Sequence, residues 1–218
     1  MMVKQGFLNL TREEQKNVFE AALDEFSSND YDSTSMNQII INAGISKGSM
    51  YHYFHNKEDL FMYMIERVME KKAAFLKSFL DHFDKPAEEM AFFEILTFHL
   101  EASIRFAREN CRYHMIAVQI QNMPAGKMKD RIWDRFQAAF EQYIEAMVDK
   151  AMKEGELRKD LGRDFVIRIL KFVLLRFSEI YPNYNELLNK DDQAIIEDIK
   201  KLTEFLKTGL KEPDFKEA

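Results

Sequence analysis

The chain has 218 residues, of which 46% are hydrophobic and 31% charged, an ordinary globular composition with ample material for a core. Seven glycines and four prolines leave room for long helices and argue against a sandwich or barrel. The formal net charge of -6 excludes nucleic-acid binding driven by overall charge, so such a function needs a locally positive surface.

No run approaches the roughly 20 uncharged apolar residues that span a bilayer, and the opening MMVKQGFLNLTREEQ turns polar too soon for a signal peptide. A cytoplasmic protein with no membrane partner is expected. Cys111 is the single cysteine, which excludes an internal disulfide and reads as a small buried hydrophobe.

The predicted elements are helical throughout. Thr11 followed by Glu14 is a capping box that opens a helix over residues 11–27, with Phe19, Ala22, Leu23 and Phe26 on its buried face. Thr34 is placed to cap a short helix over 35–42, with Met36, Ile39, Ile40 and Ala43 inward and Gly44 closing it. Ser46 caps the next, over 47–54, so two short helices meet at a tight turn: a helix-turn-helix. Asn56 caps a longer helix over residues 57–83, which connects this bundle to the rest. After a break at Asp84-Lys85-Pro86, helices are expected over 87–109, 112–121 and 128–154, the last ending at Gly155. Two more follow over 161–181 and 191–210, the first stopped by Pro182.

On a helical wheel for 46–54, Met50, Tyr53 and Phe54 point inward, Gly48, Ser49 and His52 point the other way, and Lys47 and Tyr51 lie on a flank. An exposed helical glycine costs about 0.5–1 kcal/mol relative to alanine, which makes sense where something bulky must approach the backbone. The helix N-terminus with Lys47 suits a phosphate, and Ser49 and Tyr51 can reach base edges. Thr34, His52, Tyr53 and Lys57 are candidates for flanking phosphates. Residues 33–57 hold two lysines, two histidines and no acid, although residues 1–72 carry eight basic and eleven acidic groups. The acids of the first long helix must therefore face away.

The run ST-MNQII-NAGISKGSMYHYF-NKEDLF resembles the N-terminal signature of the tetracycline-repressor (TetR) family of transcriptional regulators. The matching residues are Thr34, Ile39, Ala43, Gly44, Ser46, Lys47, Gly48, Tyr51, Tyr53, Phe54, Lys57, Leu60 and Phe61. Met50 departs from the more usual leucine or isoleucine, a conservative core exchange. Gln38, at a position where the family varies, is a candidate for one more base contact. The resemblance implies an all-α homodimer of about nine helices per chain, with an N-terminal three-helix helix-turn-helix bundle and a C-terminal ligand-binding and dimerisation domain. It divides the chain into a DNA-binding domain over 1–56, the connecting helix 57–83, and an effector and dimer domain over 84–218. It further implies a double-stranded DNA operator with two half-sites, repression relieved by an effector, and no cofactor.

Beyond residue 84 the resemblance is limited to helix layout and GELRKDLGRDFV, without a ligand signature. Phe92, Phe98, Met115, Trp133, Phe136, Phe140 and Phe172, with Glu101 and Tyr143 as polar contacts, are candidates to line an apolar pocket for a small hydrophobic effector. Helices 161–181 and 191–210 are apolar on several sides, so they are the dimer candidates, with Phe172, Leu175, Ile199, Leu202 and Leu206 available to a seam. An enzyme, or a helical binding protein without DNA activity, is the competing class. No paired carboxylates or metal-spaced histidines support catalysis or metal binding.

Overall fold

The computed structural model describes residues 3–80, 86, 89–181, 186 and 189–212. Among them the chain forms ten α-helices and no β-strand: α1 (Gln5–Leu8), α2 (Arg12–Ser28), α3 (Met36–Asn42), α4 (Lys47–Tyr53), α5 (Lys57–Leu80), α6 (Phe92–Glu109), α7 (Cys111–Asn122), α8 (Lys127–Glu154), α9 (Arg163–Arg176) and α10 (Asp192–Leu210). The all-α class is as expected, with slightly more helices than the nine or so implied. The expected helix end at Phe83, the Asp84-Lys85 break and Pro182 lie outside the described residues. The chain forms two compact units, one from residues 1–74 and 109–134, the other from 75–108 and 135–218.

In the first unit the caps act at short range. The Thr11 hydroxyl accepts the Glu14 N–H at 3.2 Å while the Glu14 carboxylate accepts the Thr11 N–H at 2.9 Å, completing the capping box. Bonds from the Thr11 hydroxyl and amide hold the Glu14 carboxyl below its usual range. Val18, Ala22, Leu23 and Phe26 of α2 are buried, and the Phe26 ring lies 4.8 Å from Phe61 of α5. Asn56 caps α5, accepting the Asp59 N–H at 2.9 Å. The cap of α3 differs from expectation. Ser35 accepts the Gln38 N–H at 3.3 Å, whereas the buried Thr34 donates its hydroxyl to the Asp30 carbonyl at 2.8 Å. Thr34 thus closes the preceding turn, and Ser35 opens the helix.

α7 packs on α2. Arg112 reaches Glu20 at 2.8 Å and also pairs with Asp24. Cys111, expected to be buried, is exposed at the first position of α7. Lys129 donates to the carbonyls of Gln121 at 3.1 Å and Met123 at 2.7 Å, tying the α7–α8 turn.

In the second unit, α6 contributes Phe92, Phe93, Leu96, Leu100 and Ile104 to a core shared with Ile144, Val148 and Ala151 of α8, Val166 and Leu170 of α9, and Ile195 and Ile199 of α10. α6 begins at Phe92, five residues later than the sequence suggests. The buried Glu156 carboxylate accepts the Phe92 N–H at 2.8 Å, satisfying an orphan donor at the helix start from sixty-four residues away. The segment around Glu156 also runs beside the end of α10: Arg158 N–H donates to the Leu210 carbonyl at 2.9 Å and Glu212 N–H to the Glu156 carbonyl at 3.1 Å. The helix expected over 161–181 is instead α9 followed by a 3-10 turn, Phe177–Ile180. Ile199 and Leu206, named above for a dimer seam, are buried in this core. Phe172, named for the pocket as well as the seam, is 66% exposed, and Phe205 of α10 is 75% exposed.

His114 of α7 is held down to about 4, first by burial and then by the charge of Lys72, whose own ammonium burial pulls below the ordinary lysine value. The folded pKa lies below the unfolded value of about 6.5, so the unfolded state binds the extra proton between these limits, and stability falls as pH drops through that window. Urea unfolding at pH 7 and pH 4.5 should show a loss on the order of 2 kcal/mol attributable to His114. His114→Gln should lose correspondingly less over the same interval; equal losses in both proteins would contradict the assignment.

Candidate nucleic-acid interface

α4 is positioned by what it buries. Met50 and Phe54 are fully buried, and Phe54 lies 5.7 Å from Tyr63 of α5. Residues on the other side then face solvent. Lys47, Gly48, Tyr51 and His52 are exposed, and Ser49 and Tyr53 are half-buried. Ser46 caps the helix, accepting the Ser49 N–H at 3.0 Å, and the two serine hydroxyls are 2.9 Å apart. The α4 N-terminus therefore stands open beside Lys47. A Cβ built on Gly48 would meet only Ser46 Oγ, at 3.6 Å, an ordinary contact.

The turn entering α4 is set by Gly44, whose φ is +66°. Its N–H donates to the Ile41 carbonyl at 3.1 Å, and the Ile45 N–H donates to the Ile40 carbonyl at 3.3 Å. This paired closure needs a left-handed residue, which glycine adopts without a Cβ penalty. Gln38 of α3 is exposed on the same bundle, its amide donating to Asn42 Oδ1 at 2.9 Å.

The acids are drawn into internal contacts. Glu20 and Asp24 face Arg112, and Glu25 accepts the Ser35 N–H at 3.0 Å. Asp30 accepts the Ser33 N–H at 2.8 Å, and Glu58 pairs with Arg131. The stretch 33–57 thus keeps its local positive balance despite the net charge.

Lys57, expected at a flanking phosphate, is engaged within the bundle. Its ammonium donates to the carbonyls of Tyr31 at 2.7 Å, Asp32 at 3.0 Å and Thr34 at 3.2 Å, using three protons on three acceptors. It also sits 4.8 Å from the Tyr31 ring centroid. Tyr31 is pushed up to about 12 by burial and by the charges of Glu58 and Asp32. Lys57 and Thr34 therefore hold the turn ahead of α3. Sequence reasoning missed Lys4, Gly6 and Phe7, which lie against α4; the short α1 carries no apolar periodicity long enough to register.

Residues 18–64 match the family described as bacterial regulatory proteins, tetR family. Residues 18–64 are thus TetR-like. RutR of Escherichia coli K12 is 35% identical over 69 residues, 32% of this chain and 32% of RutR, so the chain spans about a third of the length of that curated relative. A TetR-family regulator from Chloroflexus aurantiacus superposes with a TM-score of 0.73 at 28% identity, covering 97% of this chain and 99% of that one. FadR from Bacillus subtilis, solved in complex with stearoyl-CoA, shares the fold with a TM-score of 0.68 at 14% identity, covering 87% and 97%.

The candidate effector residues of the chain are dispersed. Met115 and Trp133, both half-buried, belong to the first unit. In the second, Phe92 and Phe98 are buried, and Phe98 stacks 5.6 Å from Phe79. Phe136 is half-buried, and Phe140 packs against the core cluster. Tyr143 is 43% exposed, with its hydroxyl 2.5 Å from His99 Nε2. Burial pushes the Glu101 carboxyl up, against the pull of Arg105 and Lys200. Phe172 is corrected from pocket to surface: its face of α9 turns away from the core that Val166 and Leu170 enter. Among the described residues no group of three or more His, Cys, Asp or Glu is arranged to hold a metal, and no helix is long and apolar enough to cross a membrane.

The left-handed turn yields a direct check. Gly44→Ala, in open space but at positive φ, should lower the unfolding free energy by about 1 kcal/mol. Chemical denaturation that leaves the variant as stable as the parent would contradict a conformational requirement at Gly44.

Proposed function

We propose that this chain is a ligand-responsive transcriptional repressor that binds a palindromic operator as a homodimer and is released by a small hydrophobic effector. It acts in the cytoplasm and catalyses no reaction. The observation that carries the reading is the outward face of α4. Lys47, Gly48, Tyr51 and His52 are exposed together, and the fold itself has no need of a glycine at 48. In this reading Lys47 and the open helix N-terminus take a phosphate, Ser49 and Tyr51 reach base edges, and Gly48 admits the duplex close to the backbone. Gln38 and His52 flank the contact, while Thr34, Tyr53 and Lys57 hold the reading elements in place.

Two such helices must sit about 34–36 Å apart to enter successive major grooves, which calls for a dimer. The exposed Phe172 and Phe205 support one through α9 and α10, since aromatic rings open to solvent on neighbouring helices mark an association surface. The effector is assigned to the second unit, where Phe98, Phe140, Glu101 and the His99–Tyr143 pair combine apolar surface with a few polar groups. The stearoyl-CoA bound by the Bacillus FadR supports an acyl-bearing effector class. The effector releases DNA only through different affinities for the two states, with typical couplings of about 1–3 kcal/mol.

The experiment is selection of duplexes from a random-sequence DNA library by the purified protein, followed by affinity measurements against salt. Wild type should enrich a two-fold symmetric site; recovery of no preferred duplex would overturn the reading. Lys47→Ala should weaken binding and reduce the salt slope by about one. Gly48→Ala should stabilise the fold by about 0.5–1 kcal/mol yet weaken binding at least tenfold. A variant that is more stable and binds equally well would remove the role assigned to Gly48.

The dimer is checked by sedimentation. Wild type should run at twice the chain mass of 25.9 kDa. Phe172→Asp combined with Phe205→Asp should run as a folded monomer, and an unchanged dimer would place the seam elsewhere.

A further inference from the structure

We propose that residues 3–8 clamp the C-terminal end of α4, with Lys4 and Gly6 acting as positioning residues for DNA reading. The inference rests on α4 being the recognition helix. A seven-residue helix has little stability of its own, and its last carbonyls lack partners within the helix. Here one residue from another segment supplies two of them. The Lys4 backbone N–H donates to the Tyr53 carbonyl at 3.0 Å, and the Lys4 ammonium donates to the Tyr51 carbonyl at 2.8 Å. The ammonium also sits at the negative end of the helix dipole.

Lys4 is held there by the residue three places on. Phe7 is fully buried, its ring 5.8 Å from Tyr53, 5.0 Å from Phe54 and 5.1 Å from Tyr63. α1 has only four residues, so this aromatic contact, rather than helix propensity, fixes it. Gly6 completes the clamp. A Cβ there would lie 2.3 Å from both Cδ2 and Nε2 of His52, so the imidazole rests on bare α1 backbone. His52, on the exposed side of α4, thus occupies the space that a side chain at position 6 would fill.

Hydrogen exchange in the DNA-free protein tests the clamp without reference to DNA. Lys4→Met should speed exchange of the amides at residues 51–54 about fivefold, and Lys4→Arg should restore protection. Unchanged exchange in Lys4→Met would overturn the clamp. With the duplex selected by wild type, Lys4→Met should weaken binding severalfold at an unchanged salt slope. A loss accompanied by a slope smaller by about one would make Lys4 a phosphate contact instead. Gly6→Ala should shift the His52 ring resonances and weaken binding in the wild-type background, yet have no further effect on binding beside His52→Ala. Equal effects in both backgrounds would contradict the Gly6–His52 contact. Should no duplex be selected at all, the repressor reading fails while exchange and ring resonances still decide the clamp.

Discussion

Burial of Met50 and Phe54 is the constraint on which the candidate interface depends. Once these two side chains enter the bundle, the remaining faces of α4 have no freedom. Lys47, Gly48, Tyr51 and His52 must point to solvent. The Gly44 closure fixes the angle at which the chain enters α4, and the Lys57 ammonium ties down the turn ahead of α3. Positioning is thus carried by apolar burial and carbonyl capping, and the outward polar side chains are left available.

Charge follows the same division of labour. The chain is acidic overall, and a surface for DNA would be repelled if those acids faced it. Instead Glu20 and Asp24 are engaged by Arg112, Glu58 by Arg131, and Glu25 and Asp30 by backbone amides. Exposed ion pairs contribute little stability individually. Their consequence here is where negative charge sits, which governs how a polyanion approaches.

Helix positions were legible because their signals are local. Thr11 and Glu14, three residues apart, and Asn56 directly before the acids of α5 announce their helices in the sequence. Other features depend on contacts that sequence spacing does not reveal. Thr34 and Ser35 are both competent caps, and the choice falls to Ser35 because the Thr34 hydroxyl is already committed to Asp30. The start of α6 is set by Glu156, sixty-four residues downstream. Which face of α9 and α10 enters the core was open, since both helices are apolar around much of their circumference. Packing buries Ile199 and Leu206 and leaves Phe172 and Phe205 outside. The α4 face is legible because its apolar positions repeat at helical spacing, whereas α1 is not: four residues contain too little pattern, and its order comes from Phe7.

The central claim is that the outward face of α4 meets the duplex. Amide chemical-shift mapping during titration with the selected operator measures this most directly. Perturbations concentrated at Lys47, Gly48, Ser49 and Tyr51, falling away toward the buried side of the helix, are the predicted result. A specific complex that leaves those four amides unshifted and perturbs a different surface would contradict the account.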